Sequence, residues 1–293
     1  MFDAQRERVA ATLACQWPCS TSLLILAWLF GRGPLAQPQP FRLFVLLMNI
    51  PALPAAPSDR RVVSLRSIPP TCCTAAALGA VHYALACCRL NGWLLRLLQC
   101  LLPYLFASTA MELPALAFTL LSGLPVAVPF NRPFLSASIR EFWGRWNLDG
   151  SRRFRMAAYE PVLSGCSKGP AGAAKHRAAQ RASQLRRWAA VFAAFALSGA
   201  IHEMFFFYIV RRPSGGWLLF FCLQAPLMLV ESRLRQLAGQ AGLRPPRLLK
   251  QAATLGVMCL MGQWLFVPGA LELLDLFAER FRTCHTYSFC SPA

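Results

Sequence analysis

The sequence predicts an all-α fold, in which a bundle of about seven to nine helices crosses a membrane. Hydrophobic residues make up 56% of the 293 residues, charged residues only 14%, and the mean hydropathy is +0.43. Soluble domains are richer in charged residues, at about 25%. Because one crossing takes ~20 helical residues, a chain of this length has little room for a separate soluble domain. We therefore expect one integral membrane domain over residues 1–293.

The apolar runs set the order of the predicted helices. We expect crossings at Ala10–Phe30, Thr71–Cys88, Trp188–Val210, Trp217–Val230 and Gln251–Leu274, with Glu231 ending the fourth of these. Two further apolar stretches cover Trp93–Phe106 and Ser108–Phe130. The run Phe41–Leu53 is short for a crossing and contains Pro51, which predicts a half-length or re-entrant helix. Arg96 and Glu112 interrupt two of the runs, and we expect both near an interface, where a long side chain reaches water.

One long segment, residues 131–187, has no apolar run long enough to cross a membrane, and it is rich in Lys and Arg. A second basic segment covers residues 231–250. By the positive-inside rule, we expect both segments to be cytoplasmic. Within the first, Ser164–Ala182 is rich in Gly, Ala, Ser and Lys, which predicts a flexible segment without a core of its own.

The formal net charge is +18, from 30 Lys and Arg against 12 Asp and Glu. Most cations lie between the apolar runs, which indicates membrane orientation and contact with anionic lipids. The alternative is a polyanionic substrate such as coenzyme A, with its phosphates. We expect no nucleic-acid partner, because the cations are not arranged on a soluble recognition module.

The chain has 12 cysteines, most of them inside apolar runs, where they behave as small hydrophobic residues. Two groups lie near the ends of the sequence, Cys15 with Cys19 and Cys284-His285 with Cys290. Neither group has the spacing of a zinc site. We therefore expect no metal ion.

Two stretches differ in composition from a lipid-facing helix and from a linker. The first, Arg140–Asn147, combines aromatics, charges and one amide. The second, Ser198–Tyr208, belongs to an apolar run that holds one serine, one histidine and one glutamate. Ionisable groups at membrane depth are costly and are therefore functional candidates. His202 is the strongest of them.

On a helix, His202 shares one stripe with Ser198, Phe205 and Phe206. A small residue before the imidazole allows close approach of a substrate or a neighbouring helix. The aromatic residues after it would line an apolar tunnel suited to an acyl chain. The alternative is a histidine that is hydrogen-bonded across helices. Glu203 points about 100° away from His202, so we expect it to contact another helix.

Together the motifs resemble the wax synthase branch of the membrane-bound O-acyltransferases. The matching residues, in order, are Phe142-Trp143-x-Arg145-Trp146-Asn147, Tyr159-x-Pro161-Val162 and Ser198-Gly199-x-x-His202-Glu203. The resemblance implies an active site formed by His202 and Asn147. This chain has one residue fewer than is usual in the family between the Phe-Trp and Trp-Asn pairs. Asp149 and Tyr159 are therefore alternatives to Asn147.

The resemblance further implies a multi-pass enzyme of the endoplasmic reticulum that transfers a fatty acyl group from acyl-CoA to a long-chain alcohol. His202 would be the general base, and Asn147 would position the substrate or the oxyanion. The implied substrate contacts are Arg145, Trp143, Trp146, Ser198, Phe205 and Phe206. We expect acyl-CoA as co-substrate without another cofactor, and a lipophilic alcohol and membrane lipids as partners.

Three alternatives stay open. In the first, the enzyme acylates a glycerolipid or sterol hydroxyl instead of a long-chain alcohol. In the second, the chain is a non-catalytic membrane protein, and in the third it is a lipid transporter. The aromatic residues of the first motif would also suit a simple interfacial amphipathic helix.

Overall fold

The computed structural model describes residues 21–48, 54–55, 62–164, 173–273 and 276. These residues form helices and connecting segments without a named strand, which confirms the all-α fold class. Five helices among them are long and apolar enough to cross a membrane: Leu65–Cys87, Gly92–Ser122, Ser183–Val210, Gly216–Gln240 and Arg247–Leu273. The start of the crossing predicted at Ala10–Phe30 lies outside the described residues, as do both cysteine groups near the termini. The total number of crossings therefore stays a prediction.

The first described helices are α1, residues 21–29, and α2, Phe41–Met48. Leu24 of α1, Leu35 of the connection and Leu47 of α2 form one buried cluster. Residues 49–53, the end of the predicted half-length helix, lie outside the described ranges. The cluster shows that α1 and α2 pack against each other.

Helices α3, Ile68–Cys87, and α4, Gly92–Ser122, pack along each other. The sequence shows two apolar stretches here, Trp93–Phe106 and Ser108–Phe130, whereas α4 is one helix of 31 residues that runs through the first and most of the second. Pro103 and Pro114 lie inside α4. Each proline leaves a backbone carbonyl without its helical hydrogen bond, and in a membrane bundle neighbouring groups can supply a partner for it. The helix ends at Gly123, which has a φ of 71°.

The continuity of α4 corrects the position of Glu112. This residue lies about ten residues before the end of the helix, or ~15 Å at 1.5 Å per residue. Its carboxylate accepts hydrogen bonds from Ser108 at 2.7 Å and from Thr71 of α3 at 3.4 Å. Glu112 therefore lies in the middle of a span and contacts the neighbouring helix.

The long basic segment is largely helical. It contains α5, Ile139–Trp143; α6, Leu148–Phe154; a π-helical turn, Arg155–Tyr159; and α7, Glu160–Ser164. Helix α8 begins at Ala173 and continues to Val210, so residues 173–182 are helical and the prediction of a flexible segment was wrong for them. Alanine, lysine, arginine and glutamine are good helix formers, which explains the early start. Residues 165–172 lie outside the described ranges.

Three helices follow: α9, Gly216–Cys222; α10, Gln224–Gln240; and α11, Arg247–Met261, which continues through a π-helical turn, Gly262–Phe266, to residue 273. Glu231 was expected to end its helix, but α10 extends to Gln240. The extra turns are rich in Leu, Arg and Gln, which favour helix. A salt bridge of 2.9 Å from Arg235 to Glu231, four residues apart, also stabilises this part of α10.

Helix α5 is packed into the bundle. Its apolar side chains Ile139 and Phe142 are both 5% exposed. They form a cluster with residues of α9, α10 and α11: Phe220, Phe221, Met228 and Met258. The first motif therefore packs against three helices of the bundle, which differs from a simple interfacial helix that faces lipid on its apolar side.

Candidate functional site

The imidazole of His202 has one nitrogen engaged by its own helix. Nδ1 lies 2.7 Å from the backbone oxygen of Ser198, one turn earlier. A carbonyl oxygen only accepts hydrogen bonds, so Nδ1 carries the proton and donates it. In the neutral ring Nε2 is then the lone-pair nitrogen, and it has no hydrogen-bond partner among the described residues. The hydrogen bond to Ser198 therefore fixes the orientation and the tautomer of the side chain.

Aromatic rings surround this imidazole. The ring centroid of Phe221 lies 4.4 Å from that of His202, and those of Trp217 and Phe266 lie 6.1 Å and 6.4 Å away. Trp217 and Phe266 stack at 4.7 Å with an angle of 12° between their planes. The indole N–H of Trp217 donates to the backbone oxygen of Phe266 at 2.9 Å. Three aromatic residues from α9 and α11 therefore line a largely apolar surrounding for His202.

Gly199 allows α9 to approach the histidine. A Cβ at this position would lie 3.1 Å from the backbone oxygen of Leu218 and from Cβ of Phe221. Few real Cβ contacts are that close, so a larger side chain would separate α8 from α9. The glycine before the histidine therefore places Phe221 beside the imidazole.

Glu203 contacts the next helix, as predicted. Its carboxylate accepts hydrogen bonds from the backbone N–H groups of Ser214, Gly215 and Leu218, the last at 3.3 Å. These groups lie at the start of α9, where N–H groups lack intrahelical partners and a negative charge is favourable. Glu203 therefore stabilises the beginning of the helix that supplies Trp217 and Phe221.

Asn147 begins α6 in a left-handed conformation, with a φ of 42°. Its Oδ1 accepts a hydrogen bond from the N–H of Gly150 at 2.8 Å, which makes it the N-cap of this helix. A Cβ at position 150 would lie 2.5 Å from Nδ2 of Asn147, so only glycine fits beside the amide. Within the described ranges Nδ2 has no hydrogen-bond partner, which leaves its two donors available.

The two motifs meet through aromatic residues. Trp143 of α5 packs against Phe221 at 5.6 Å and against Phe195 of α8 at 5.4 Å. Phe221 in turn contacts His202. The first motif therefore reaches the helix of His202 at a point about two turns before the histidine.

The other predicted contact residues have different surroundings. Trp146 stacks on Phe142 at 5.2 Å and contacts Tyr104 of α4 at 5.5 Å. Phe206 is 1% exposed and lies in a cluster of α8, α9 and α11, against which Phe205 packs. The side chain of Ser198 is buried, while its backbone oxygen holds His202. The stripe predicted on α8 is therefore partly a packing surface for other helices.

Arg145 is paired within the first motif. Its guanidinium lies 2.5 Å from the carboxylate of Glu141, four residues earlier, and both side chains are about one-quarter to one-third exposed, at 26% and 31%. Glu141 also accepts a hydrogen bond from the N–H of Ala137 at 2.7 Å. The charge of Arg145 is thus partly neutralised, yet the side chain is accessible.

Sequence reasoning missed two polar residues that hold α5 in place. Gln224 of α10, which is 0% exposed, accepts a hydrogen bond from the indole of Trp143 at 2.9 Å. Glu231 accepts one from the N–H of Ile139 at 3.0 Å, at the first turn of α5. A glutamine in an apolar run was the available signal for Gln224, since a buried amide needs partners.

Fold and site together define a multi-pass helical membrane protein in which one span carries a histidine with a fixed tautomer. The sequence model of the family described as "Membrane bound O-acyl transferase family" matches residues 127–223, the region that contains both motifs. The resemblance noted from the motifs is confirmed by this match.

Curated relatives agree with the family match. The chain is 33% identical over 185 residues to a long-chain-alcohol O-fatty-acyltransferase of Simmondsia chinensis. The aligned residues cover 61% of this chain and 48% of that protein. It is 28% identical over 282 residues to the probable long-chain-alcohol O-fatty-acyltransferase 1 of Arabidopsis thaliana, covering 89% of this chain and 78% of the relative.

A third relative differs in its acceptor. The acyl-CoA–sterol O-acyltransferase 1 of Arabidopsis thaliana is 33% identical over 157 residues, which cover 53% of this chain and 41% of that protein. The chain spans about half the length of the first curated relatives that it matches, at 48% and 49%.

Proposed function

We propose that this protein is an acyltransferase that moves a fatty acyl group from acyl-CoA to the hydroxyl of a long-chain alcohol. One observation carries the proposal: Nδ1 of His202 donates to the backbone oxygen of Ser198, which leaves Nε2 as a base inside an aromatic surrounding. The family match and the names of the relatives support the same chemistry.

The proposed reaction begins with proton transfer to His202. Nε2 takes the hydroxyl proton as the alcohol oxygen attacks the thioester carbonyl carbon. The imidazolium that forms is stabilised by the Ser198 carbonyl and by the face of Phe221, whose ring lies 4.4 Å away. The C–S bond then breaks, and Nε2 returns the proton to the coenzyme A thiolate. The products are the ester and free coenzyme A, without a net change in protons.

Asn147 supplies the second half of the proposed chemistry. The attack places negative charge on the carbonyl oxygen, and a neutral donor held in advance stabilises that charge. The N-cap bond from Gly150 to Oδ1 fixes the amide plane, and Nδ2 of the same amide carries two hydrogens. Because these donors have no partner among the described residues, they are available to the oxyanion.

A sterol acceptor is the second candidate, and the similarity to the sterol acyltransferase favours it. The chemistry at His202 would be the same, since both acceptors present one hydroxyl. They differ in shape, because a sterol is a rigid ring system and an alkyl chain is narrow. Supplying each acceptor separately with labelled acyl-CoA distinguishes a long-chain alcohol from a sterol as the substrate.

The test uses microsomes from a host that lacks neutral-lipid synthesis, supplied with labelled acyl-CoA and one acceptor at a time. The acceptors are a long-chain alcohol, a diacylglycerol and a sterol. We expect labelled wax ester from the alcohol, and sterol ester as the main product would support the second candidate. Absence of ester from every acceptor, with the protein present in the membrane, contradicts the enzymatic proposal and favours a non-catalytic role.

A further inference from the structure

Gln224 is a fully buried amide whose two ends are both engaged. It is 0% exposed and is the first residue of α10, directly after the break at Leu223. Nε2 donates to the backbone oxygen of Phe220 at 2.8 Å, and Oε1 accepts from Nε1 of Trp143 at 2.9 Å. Since each end of the amide has a partner, the side chain is held in one orientation.

This amide is hydrogen-bonded to the indole of Trp143, which packs against Phe221, the ring beside His202. The ring of Trp143 lies 5.6 Å from Phe221 and 6.2 Å from Phe220. Phe221 lies 4.4 Å from the imidazole of His202, at an angle of 36°. Phe221 thus lies between Trp143 and His202 and is next to both rings.

We propose that Gln224 is a positioning residue, which orients His202 through Trp143 and Phe221. Without the amide oxygen, the indole N–H would be unpaired in a buried cluster, which is unfavourable, so the ring would reorient toward another acceptor. Packing in this cluster is close, so Phe221 would move with it. The base would then be displaced from the reacting hydroxyl.

The kinetic test rests on the proposed function and compares Gln224→Leu, Trp143→Phe and the double variant. Each single variant is expected to lower kcat ~10- to 100-fold, because small displacements of reacting groups are costly. The KM for acyl-CoA is expected to stay close to the wild-type value. The double variant should be no slower than the slower single variant, since both changes break the same hydrogen bond.

Two controls separate positioning from general destabilisation. Gln224→Glu retains an acceptor oxygen for the indole and should recover most of the lost turnover. Gln99→Leu removes an amide that accepts a hydrogen bond from Gln263 at 3.1 Å rather than from Trp143, and it should leave kcat unchanged. Additive losses in the double variant, or a wild-type kcat in Gln224→Leu, overturn the positioning role.

NMR of His202 tests the positioning role without an activity assay. If the wild-type protein forms no ester, the proposed function fails, but the NMR result still decides whether Gln224 orients His202. The chain has 4 histidines, so ¹⁵N-histidine labelling gives few signals, and His202→Gln assigns the one of interest. Gln224→Leu and Trp143→Phe should both shift the ring ¹⁵N resonances of His202, and Gln224→Glu should shift them less. Unshifted resonances in both variants overturn the inference.

Discussion

Glu112 and His202 are both ionisable residues inside spans, yet their surroundings differ. Both oxygens of Glu112 are occupied by hydroxyls, since Ser108 donates at 2.7 Å and Thr71 at 3.4 Å, and these two donors are 1% and 2% exposed. His202 has one nitrogen occupied by its own helix and the other without a partner among the described residues. A polar group whose atoms are engaged by a neighbouring helix joins the two helices, whereas a nitrogen whose lone pair has no partner can act on a substrate.

The elements around the two residues differ in the same way. Glu112 links α3 to α4, and its neighbours are small hydroxyl side chains. His202 faces aromatic rings from α9 and α11, which lie beside it without using its hydrogen-bonding capacity. An ionisable residue inside a predicted span is therefore a candidate for a functional role. Whether its polar atoms already have hydrogen-bond partners separates a helix contact such as Glu112 from a candidate base such as His202.

The largest effect is expected from His202→Ala. Loss of a general base lowers turnover by ~10²–10⁴-fold, about 3–5 kcal/mol of barrier. His82→Ala is the matched control, because His82 is an exposed histidine of α3 and should retain turnover. The measurement is ester formation per amount of inserted protein. If His202→Ala kept more than about a tenth of the turnover, the assignment of the base and the comparison with Glu112 would both fail.

Asn147→Asp tests the donor that is proposed to act with His202. Aspartate also caps helices, so α6 should remain stable, but the carboxylate lacks the two Nδ2 hydrogens. Turnover should fall ~10²–10³-fold, the usual effect of losing an oxyanion donor. Asn147→Ala should lose turnover and also about 1 kcal/mol of stability, because the cap is removed.

The measurements for Asn147 are kcat for ester formation and the unfolding temperature in detergent. A nearly silent Asn147→Asp would retire this residue and leave His202 unaffected. Tyr159→Phe would then be the next variant to examine. Asp149 is the weaker alternative, because it is buried in an ion pair with Arg153 at 2.7 Å.

Arg145→Ala probes the binding of acyl-CoA rather than the chemistry. If the guanidinium contacts a coenzyme A phosphate, its loss should raise the KM for acyl-CoA ~10-fold, equivalent to one charged hydrogen bond of ~1.5 kcal/mol, and spare kcat. Arg155→Ala is the control, since Arg155 also pairs with a glutamate and is 69% exposed. An equal rise in KM for both variants would indicate a general charge effect rather than a specific contact.

The smallest effect on turnover is expected from Glu112→Leu, which tests whether Glu112 joins α3 to α4 without taking part in the reaction. It leaves the buried hydroxyls of Thr71 and Ser108 without their acceptor, which costs ~1–3 kcal/mol of stability. Turnover per folded protein should stay close to the wild-type value. Unfolding in detergent measures the first effect and ester formation the second. A loss of turnover as large as that of His202→Ala would show that Glu112 takes part in the reaction.

The sequence alone determined the class of fold and predicted His202 as the central residue of the candidate site. Long apolar runs predict spans, because hydrocarbon excludes unpaired backbone and leaves helices as the solution for a chain of this kind. A histidine within such a run stands out for the same energetic reason. Both features depend on local composition, so Trp188–Val210 and His202 could be recognised without any knowledge of the neighbouring helices.

Tertiary structure decided how the helices join and which polar atoms are occupied. The sequence did not show that α4 is continuous, because its prolines are tolerated only when neighbouring helices support them. It also could not reveal that Gln224 binds Trp143, since 81 residues separate the two partners. Hydrogen bonds of this kind depend on the packing of distant segments, whereas hydropathy is a property of each segment. Only the folded bundle could therefore show that both oxygens of Glu112 accept hydrogen bonds, whereas Nε2 of His202 has no partner among the described residues.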